Sequence, residues 1–164
     1  MTVTVNGFNI GTDCSVTFSD NYGDSFTAQD LGHLMDVETA ATDTAVKITP
    51  ITGGGVPIFQ TVWDGGTGRL TFSRVNTNLQ QMILDLMSAY FSSGIIPVFS
   101  MMMNVLDRNG TVDEYLYSGL QFTKPNFGNF AALKEVNQMV DLVWAQCVAT
   151  GGGLPFLSGV AAAA

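Results

Sequence analysis

Alternation of apolar and polar positions is the dominant signal along this chain. In Cys14–Ser19, Cys14, Val16 and Phe18 fall on one side and Ser15, Thr17 and Ser19 on the other, the pattern of a half-buried strand. Val3 and Val5 alternate in the same way ahead of Phe8 and Ile10, with a break at Gly7, and "GTD" after them reads as a tight turn. These two strands are expected to pair as a hairpin. Ala45–Ile51 is a further strand, stopped by Pro50 and the glycines at 53–55. Ile58–Trp63 and Arg69–Val75 are both strand-like, and "DGGTG" between them is a hairpin signal. After Pro97, "DRNG" separates two more alternating runs, which predicts a long hairpin over 97–124. "KPNFGNFAALK" reads as a loop, and "EVNQMVDLVWAQCVAT" as one long final strand.

One segment has helical period. Leu79, Met82, Ile83, Leu86, Met87 and Tyr90 form a single apolar stripe, with Asn76 or Thr77 at the start and Gly94 at the end as caps. The order is strands, a long connecting segment, strands, one helix and three more strands. It predicts a mostly β fold, an antiparallel β-sandwich or barrel with one flanking α-helix. Residues 1–150 form a single domain and 151–164 a Gly/Ala-rich tail.

Composition narrows the setting. Only 12% of the residues are charged, about half the ordinary share of a soluble domain, while 46% are hydrophobic. A surface so poor in charge suits burial in an assembly. The net charge of −8 argues against direct nucleic-acid binding, which needs Lys and Arg. No apolar stretch is long enough for a membrane span, and the first residues have no signal-peptide character. Cys14 and Cys147 read as free thiols in a reducing cytoplasm. Cys147 is expected to be buried, because it shares a strand side with the largely apolar set Asn137, Met139, Asp141, Val143 and Ala145.

Six carboxylates lie between Asp20 and Asp43 without a Lys or Arg, together with His33, the single histidine. Within this segment, at about 21–45, "TAQDLGHLMD" predicts a short helix capped by Thr27, with Leu31, Leu34 and Met35 on one side. The rest reads as a long inter-strand loop. Its acids lack the alternating oxygen donors and closing Glu of a helix–loop–helix calcium site, and one histidine cannot build a His-based metal site. "ITGGGVP" and "DGGTGRL" lack the Gly-Lys-Ser/Thr ending of a phosphate loop. Cys14 on an apolar strand face is better read as an inert thiol than as a nucleophile, and Trp63 and Trp144 as core aromatics. No catalytic residue, metal or cofactor is implied.

The block from "DGGTGRLTFSRVNTNLQQMILDLMSAYFSSG" through "IIPVFSMMMNVLDRNGTVDEYLYSGLQFTKPNF" to "VNQMVDLVWAQC" resembles the tail tube proteins of bacteriophages. More distantly it is similar to the inner tubes of contractile injection systems and of type VI secretion. The resemblance implies a virion structural protein, assembled in the host bacterial cytoplasm and located in the tail. Homo-hexameric rings would stack into a tube that conducts DNA without binding it specifically. Sheath, tape-measure and baseplate proteins would be its other partners. A tail terminator, baseplate or injection-system ring protein has the same expected fold, and a small-ligand-binding β-barrel remains a third reading.

In such a tube the long loop is implied to reach an adjacent ring. Tyr22, Asp24, Asp30, Leu31, Leu34, Met35, Asp36, Val37 and Glu38 are then the inter-subunit arm, with Lys124 or Lys134 as basic partners, and the arm is expected to add little to the fold of one subunit. Asp113, Glu114 and Asp141 are the candidates for the channel wall.

Overall fold

The computed structural model describes residues 14–49, 54, 56–106 and 110–151. The strand expected over 2–10, its hairpin with Cys14–Ser19, and the tail beyond Gly151 lie outside the described residues. Eight strands and two helices follow one another as β1 (Cys14–Asp20), β2 (Ser25–Thr27), α1 (Ala28–Leu31), β3 (His33–Ile48), β4 (Ile58–Ser73), α2 (Asn78–Ser93), β5 (Phe99–Leu106), β6 (Val112–Asn126), β7 (Asn137–Trp144) and β8 (Gln146–Gly151). Neighbours are ordered β2-β1-β5-β6-β7-β4-β3, and β8 also pairs with β6. Every pairing is antiparallel, as the alternation predicts.

A corner divides this path into two sheets. The first half of β6 pairs with β5 and β8, the second half with β7. Between the halves Gly119 has φ +67°, which a side chain would strain. A Cβ there would lie 2.8 Å from the Cβ of Ala145. Ala145 is the residue that separates β7 from β8, and its N–H donates to the carbonyl of Ser118 at 3.0 Å. The single final strand expected from sequence is therefore two strands, because the chain changes sheets at this corner.

The core lies between the sheets. Val16, Phe18, Phe99, Met101, Tyr117 and Leu120 come from one side, Leu70, Phe72, Val140, Leu142 and Trp144 from the other. Each such side chain stabilises the fold by about 1.5–3 kcal/mol on burial. Phe18 and Phe122 (5.4 Å between ring centres) and Phe99 and Phe122 (5.2 Å) make tilted contacts, a favoured aromatic geometry. Leu79 and Ile83 of α2 complete the core, with Met82 and Leu86 packed beside them. The helix starts after Thr77, where the Asn76 side chain accepts from the Asn78 N–H at 3.0 Å. It ends at left-handed Gly94, whose N–H donates to the carbonyl of Tyr90.

Two expectations about the middle of the chain are corrected. "DGGTG" is no turn: it lies within β4, bulged at Asp64–Gly65, where Gly65 has φ +79°, and is held by β3 on one side and by β7 on the other from Gly66 onward. β3 and β4 instead pair antiparallel out to Ile48 and Ile58, which oppose each other. The acidic segment likewise is not a long loop. After the short α1 it becomes β3, sixteen residues paired with β4 along its length, with bulges after Leu34 and Ala41.

Candidate functional site

The acidic segment breaks into pieces with different duties. Asp20 closes the turn after β1: its Oδ1 accepts from the N–H groups of Tyr22 and Asp24, each at 2.9 Å. Tyr22 stands exposed on that turn. Asp30 caps α1, accepting from the Thr27 N–H at 2.7 Å and from the Thr27 hydroxyl at 2.9 Å. These hydrogen bonds, the backbone one first, hold its carboxyl below the ordinary carboxylate value. Its carbonyl accepts from the Asn78 side chain at 2.7 Å, so α1 is tied to the start of α2. Leu31 is buried in the core of its own chain, and Leu34 and Val37 pack against that core. The expectation that this segment adds little to one subunit's fold is thus overturned for these three residues. Met35, Asp36 and Glu38 are exposed along β3.

A second feature is a ribbon that sequence reading missed. β4 pairs with β7 only from Gly66 to Ser73. Among the described residues, 58–64 pair with β3 alone. Opposed residues of an antiparallel pair share a face, so Val46, Ile48, Ile58 and Val62 make one aliphatic face, while Phe59 and Trp63 lie on the other with Asp43 and Lys47. All these apolar residues are exposed, Phe59 at 67% and Trp63 at 68%. Trp63 is therefore not the core aromatic expected, whereas Trp144 is. The readable signal was the pair of β-branched runs on either side of "TPITGGGVP".

A third feature is a row of charges across the outer sheet face. Glu38 opposes Arg69, Arg69 opposes Asp141, and Asp141 opposes Thr123, which precedes Lys124. Arg69 donates to Asp141 at 2.7 Å. That bond holds the Asp141 carboxyl low and raises the Arg69 guanidinium. Glu38, Arg69, Asp141 and Lys124 border one shallow depression.

The three acids expected on a channel wall do not come together. Asp141 sits in this row. Asp113 and Glu114 lie on the other half of β6, beyond the Gly119 corner, where Glu114 opposes Asn104 and Gly151. Lys134 lies on the exposed loop after β6. A fourth surface is the outer side of α2, where Leu84, Met87, Tyr90 and Phe91 are exposed. Ile83, Leu86, Met87, Tyr90, Phe91 and Ile96 line an apolar groove against Phe122 and Pro125 of β6.

Cys147 is exposed and Cys14 half-buried, both as free thiols. The burial expected for Cys147 fails because β8 lies on the far side of the corner from β7. Among the described residues no cluster of three His, Cys, Asp or Glu could hold a metal ion, and no helix is long and apolar enough to cross a membrane.

No protein-family model matches the sequence, and no curated protein matches it. Solved structures do match the fold. A chain of the sheath–tube complex of an extracellular contractile injection system superposes with a TM-score of 0.66 at 11% identity, covering 93% of this chain and 100% of the other. A chain of the tube-terminating cap of the anti-feeding prophage gives 0.65 at 12% identity, over 93% and 97%. The SPP1 tail tube gives 0.58 at 10% identity, over 93% and 85%. With its antiparallel strand order, its flanking helix and these superpositions, the chain has the tail-tube fold.

Proposed function

We propose that this chain is a structural subunit that assembles with copies of itself into a tail or injection tube. The observation that carries the reading is the ribbon of β3 and β4, apolar on both faces and unsupported beyond Gly66. A free-standing two-stranded ribbon is marginally stable in water, and an exposed apolar surface of this kind marks an interface. Covering both faces calls for a cleft between two other subunits, which stacked rings provide.

In this reading six subunits close a ring, rings stack, and DNA passes through the channel during ejection. The sheath, tape-measure and baseplate proteins meet the tube from outside, inside and its ends. The connector between rings is the distal part of the ribbon, 43–48 paired with 58–63, displaced toward the tip from the stretch singled out by sequence. The β3–β4–β7–β6 face looks into the channel. Asp36, Glu38 and Asp141 against Arg69 and Lys124 leave it one negative charge (three minus two), which disfavours lasting contact with phosphate.

The likeness to a tube-terminating cap is as good as that to a sheath–tube chain, so a ring that ends a tube is the second reading. Electron microscopy of the purified protein separates the two. Tubes are expected, single rings would favour the cap, and a protein that stays monomeric at high concentration would overturn both.

A further inference from the structure

Leu133 is out of place in a single subunit. It sits in the loop of residues 127–136 between β6 and β7, fully exposed to solvent. The Lys134 N–H donates to the Ala131 carbonyl at 3.4 Å, so Ala131–Lys134 is a tight turn with Leu133 in its third position. There Leu133 has φ +62°, a left-handed backbone that turns ordinarily give to glycine or asparagine. Neither backbone geometry nor burial favours a leucine at this place, and a backbone outlier of this kind points to a use.

The loop that presents Leu133 is well tied. The Arg74 N–H donates to the Val136 carbonyl at 2.9 Å, and the Arg74 guanidinium lies 4.7 Å from the centre of the Phe130 ring. The Gly128 N–H donates to the Asn126 side chain at 3.0 Å, and the side chain of buried Gln138 donates to the Phe127 carbonyl at 3.2 Å.

The groove between α2 and the end of β6 matches this knob in shape and in charge. Exposed Met87, Tyr90, Phe91 and Ile96 enclose about 220 Å³ of largely apolar space against Phe122 and Pro125, room for a leucine side chain. Lys124 borders the groove on β6, and Asp85 stands exposed on α2 beside Leu86 of its wall. Leu133 is followed by Lys134 and Glu135, both exposed. A leucine seated in the groove therefore brings one charge of each sign to a margin that holds one of each sign. The chain's own loop is held elsewhere: Arg74 ties it ahead of α2, whereas the groove follows the second half of that helix.

We infer that Leu133 of one copy inserts into the α2–β6 groove of a second copy, with Lys134 set against Asp85 and Glu135 against Lys124. Knob and groove are different surfaces of one chain, so each copy gives one and receives one, and the contact is head-to-tail. It is separate from the β3–β4 ribbon and covers the apolar side of α2 that the ribbon leaves open. The inference rests on the reading of the chain as a self-assembling subunit.

One substitution separates folding from assembly. Leu133→Asn places a residue that accepts the left-handed backbone and removes the apolar end. Its circular dichroism and denaturation midpoint should match or exceed those of the unaltered protein, while the protein concentration at which rings or tubes appear should rise by about tenfold or more. Met87→Glu in the groove should weaken assembly in the same way, and the two together little more than one alone. As a second arm, Leu133→Cys and Met87→Cys are made on separate chains, each in a Cys147→Ser background. Mixed and treated with a short bifunctional thiol cross-linker, they should give a covalent dimer well beyond what either gives alone. With both cysteines on one chain, cross-linking confined to that chain would assign the groove to its own loop. Tubes that form without a cross-link between the mixed chains, or unchanged assembly of both variants, would assign it to another protein. Each of these results overturns the pairing and leaves the assembly reading standing. An unaltered protein that never assembles would overturn both.

Discussion

Gly66 of β4 lies directly against Trp144 of β7: a Cβ on Gly66 would fall 2.1 Å from Cζ2 of the indole and 2.5 Å from the carbonyl oxygen of Ala40. The glycine therefore serves close approach of two strands and a ring, not chain reversal. A methyl group has nowhere to go, since backbone lies on one side and a core aromatic on the other. Gly66→Ala is expected to destabilise the subunit by about 2–3 kcal/mol, against about 0.5 kcal/mol or less for Thr67→Ala at the exposed neighbour. Urea denaturation of both variants decides it, and equal midpoints would show that the ring yields.

Leu31 distinguishes a segment that belongs to the subunit from an arm that merely hangs from it. It is buried with Ala28, Leu79 and Ile83 in one core. Leu31→Ala should cost about 2–5 kcal/mol in the isolated subunit, whereas Met35→Ala, exposed on β3, should leave the denaturation midpoint nearly unmoved. Equal, small effects at both positions would restore the picture of a free arm.

Much of this architecture was legible in local pattern. The helix stripe, its caps, the alternation of Cys14–Ser19 and the helix start at Thr27 all rest on neighbours within a few residues, and local pattern reads such neighbours well; the helix itself stops at Leu31, so Leu34 and Met35, expected on its face, lie in β3. What escaped was long-range. "DGGTG" looks like a turn until β3 and β7 hold it within a strand with only a bulge at Gly65, and the acids of 33–43 look like a solvated loop until β4 pairs with them. Trp63 and Trp144 are indistinguishable as residue types; only the end of β7 at the Ala145 corner leaves one exposed and the other covered. The charged row was invisible for the same reason, since Glu38, Arg69, Asp141 and Lys124 meet through register alone.

Two carboxylates should shape the acid limb of stability. Asp30 is held below the ordinary carboxylate value of 3.8 by the Thr27 N–H and hydroxyl, and Asp141 by its bond to Arg69. Depressed values mean that the folded state favours the ionised form. The stabilisation is full above 3.8 and is lost as pH falls through the lowered values. Asp30→Asn and Asp141→Asn should therefore be less stable than the parent at pH 7, with the gap narrowing near pH 3. A gap of the same size at both pH values would assign the loss to something other than ionisation.

The two thiols should react at different rates in the unassembled subunit. Cys147 is exposed on β8, while burial among core neighbours pushes the Cys14 thiol above its ordinary value of 9.0. The thiolate is the reactive form, so alkylation at pH 8 should modify Cys147 first, with Cys14 slower by about tenfold or more. Mass spectrometry of a time course gives the order. Equal rates would mean that the β1 edge opens readily.

The ribbon tip carries the sharpest separation between folding and assembly. Phe59 and Trp63 lie on its aromatic face, remote from the buried cluster, with most of their surface in solvent. Their removal leaves no cavity in the subunit, so Phe59→Ser with Trp63→Ser should keep the circular dichroism and the denaturation midpoint within about 0.5 kcal/mol of the parent. If the ribbon docks between subunits of a neighbouring ring, each anchor that buries ~100 Å² contributes about 2.5 kcal/mol per contact before ordering costs, and a ring repeats the contact. Stacking should then collapse while single rings persist, seen as short discs in place of tubes by electron microscopy. The aliphatic face gives the complementary case: Val46→Thr with Val62→Thr keeps the strand preference of both positions and should weaken stacking without affecting the subunit. Normal tubes from both variants would remove the ribbon as connector and leave the outer side of α2, with Leu84 and Phe91, as the surface to test next.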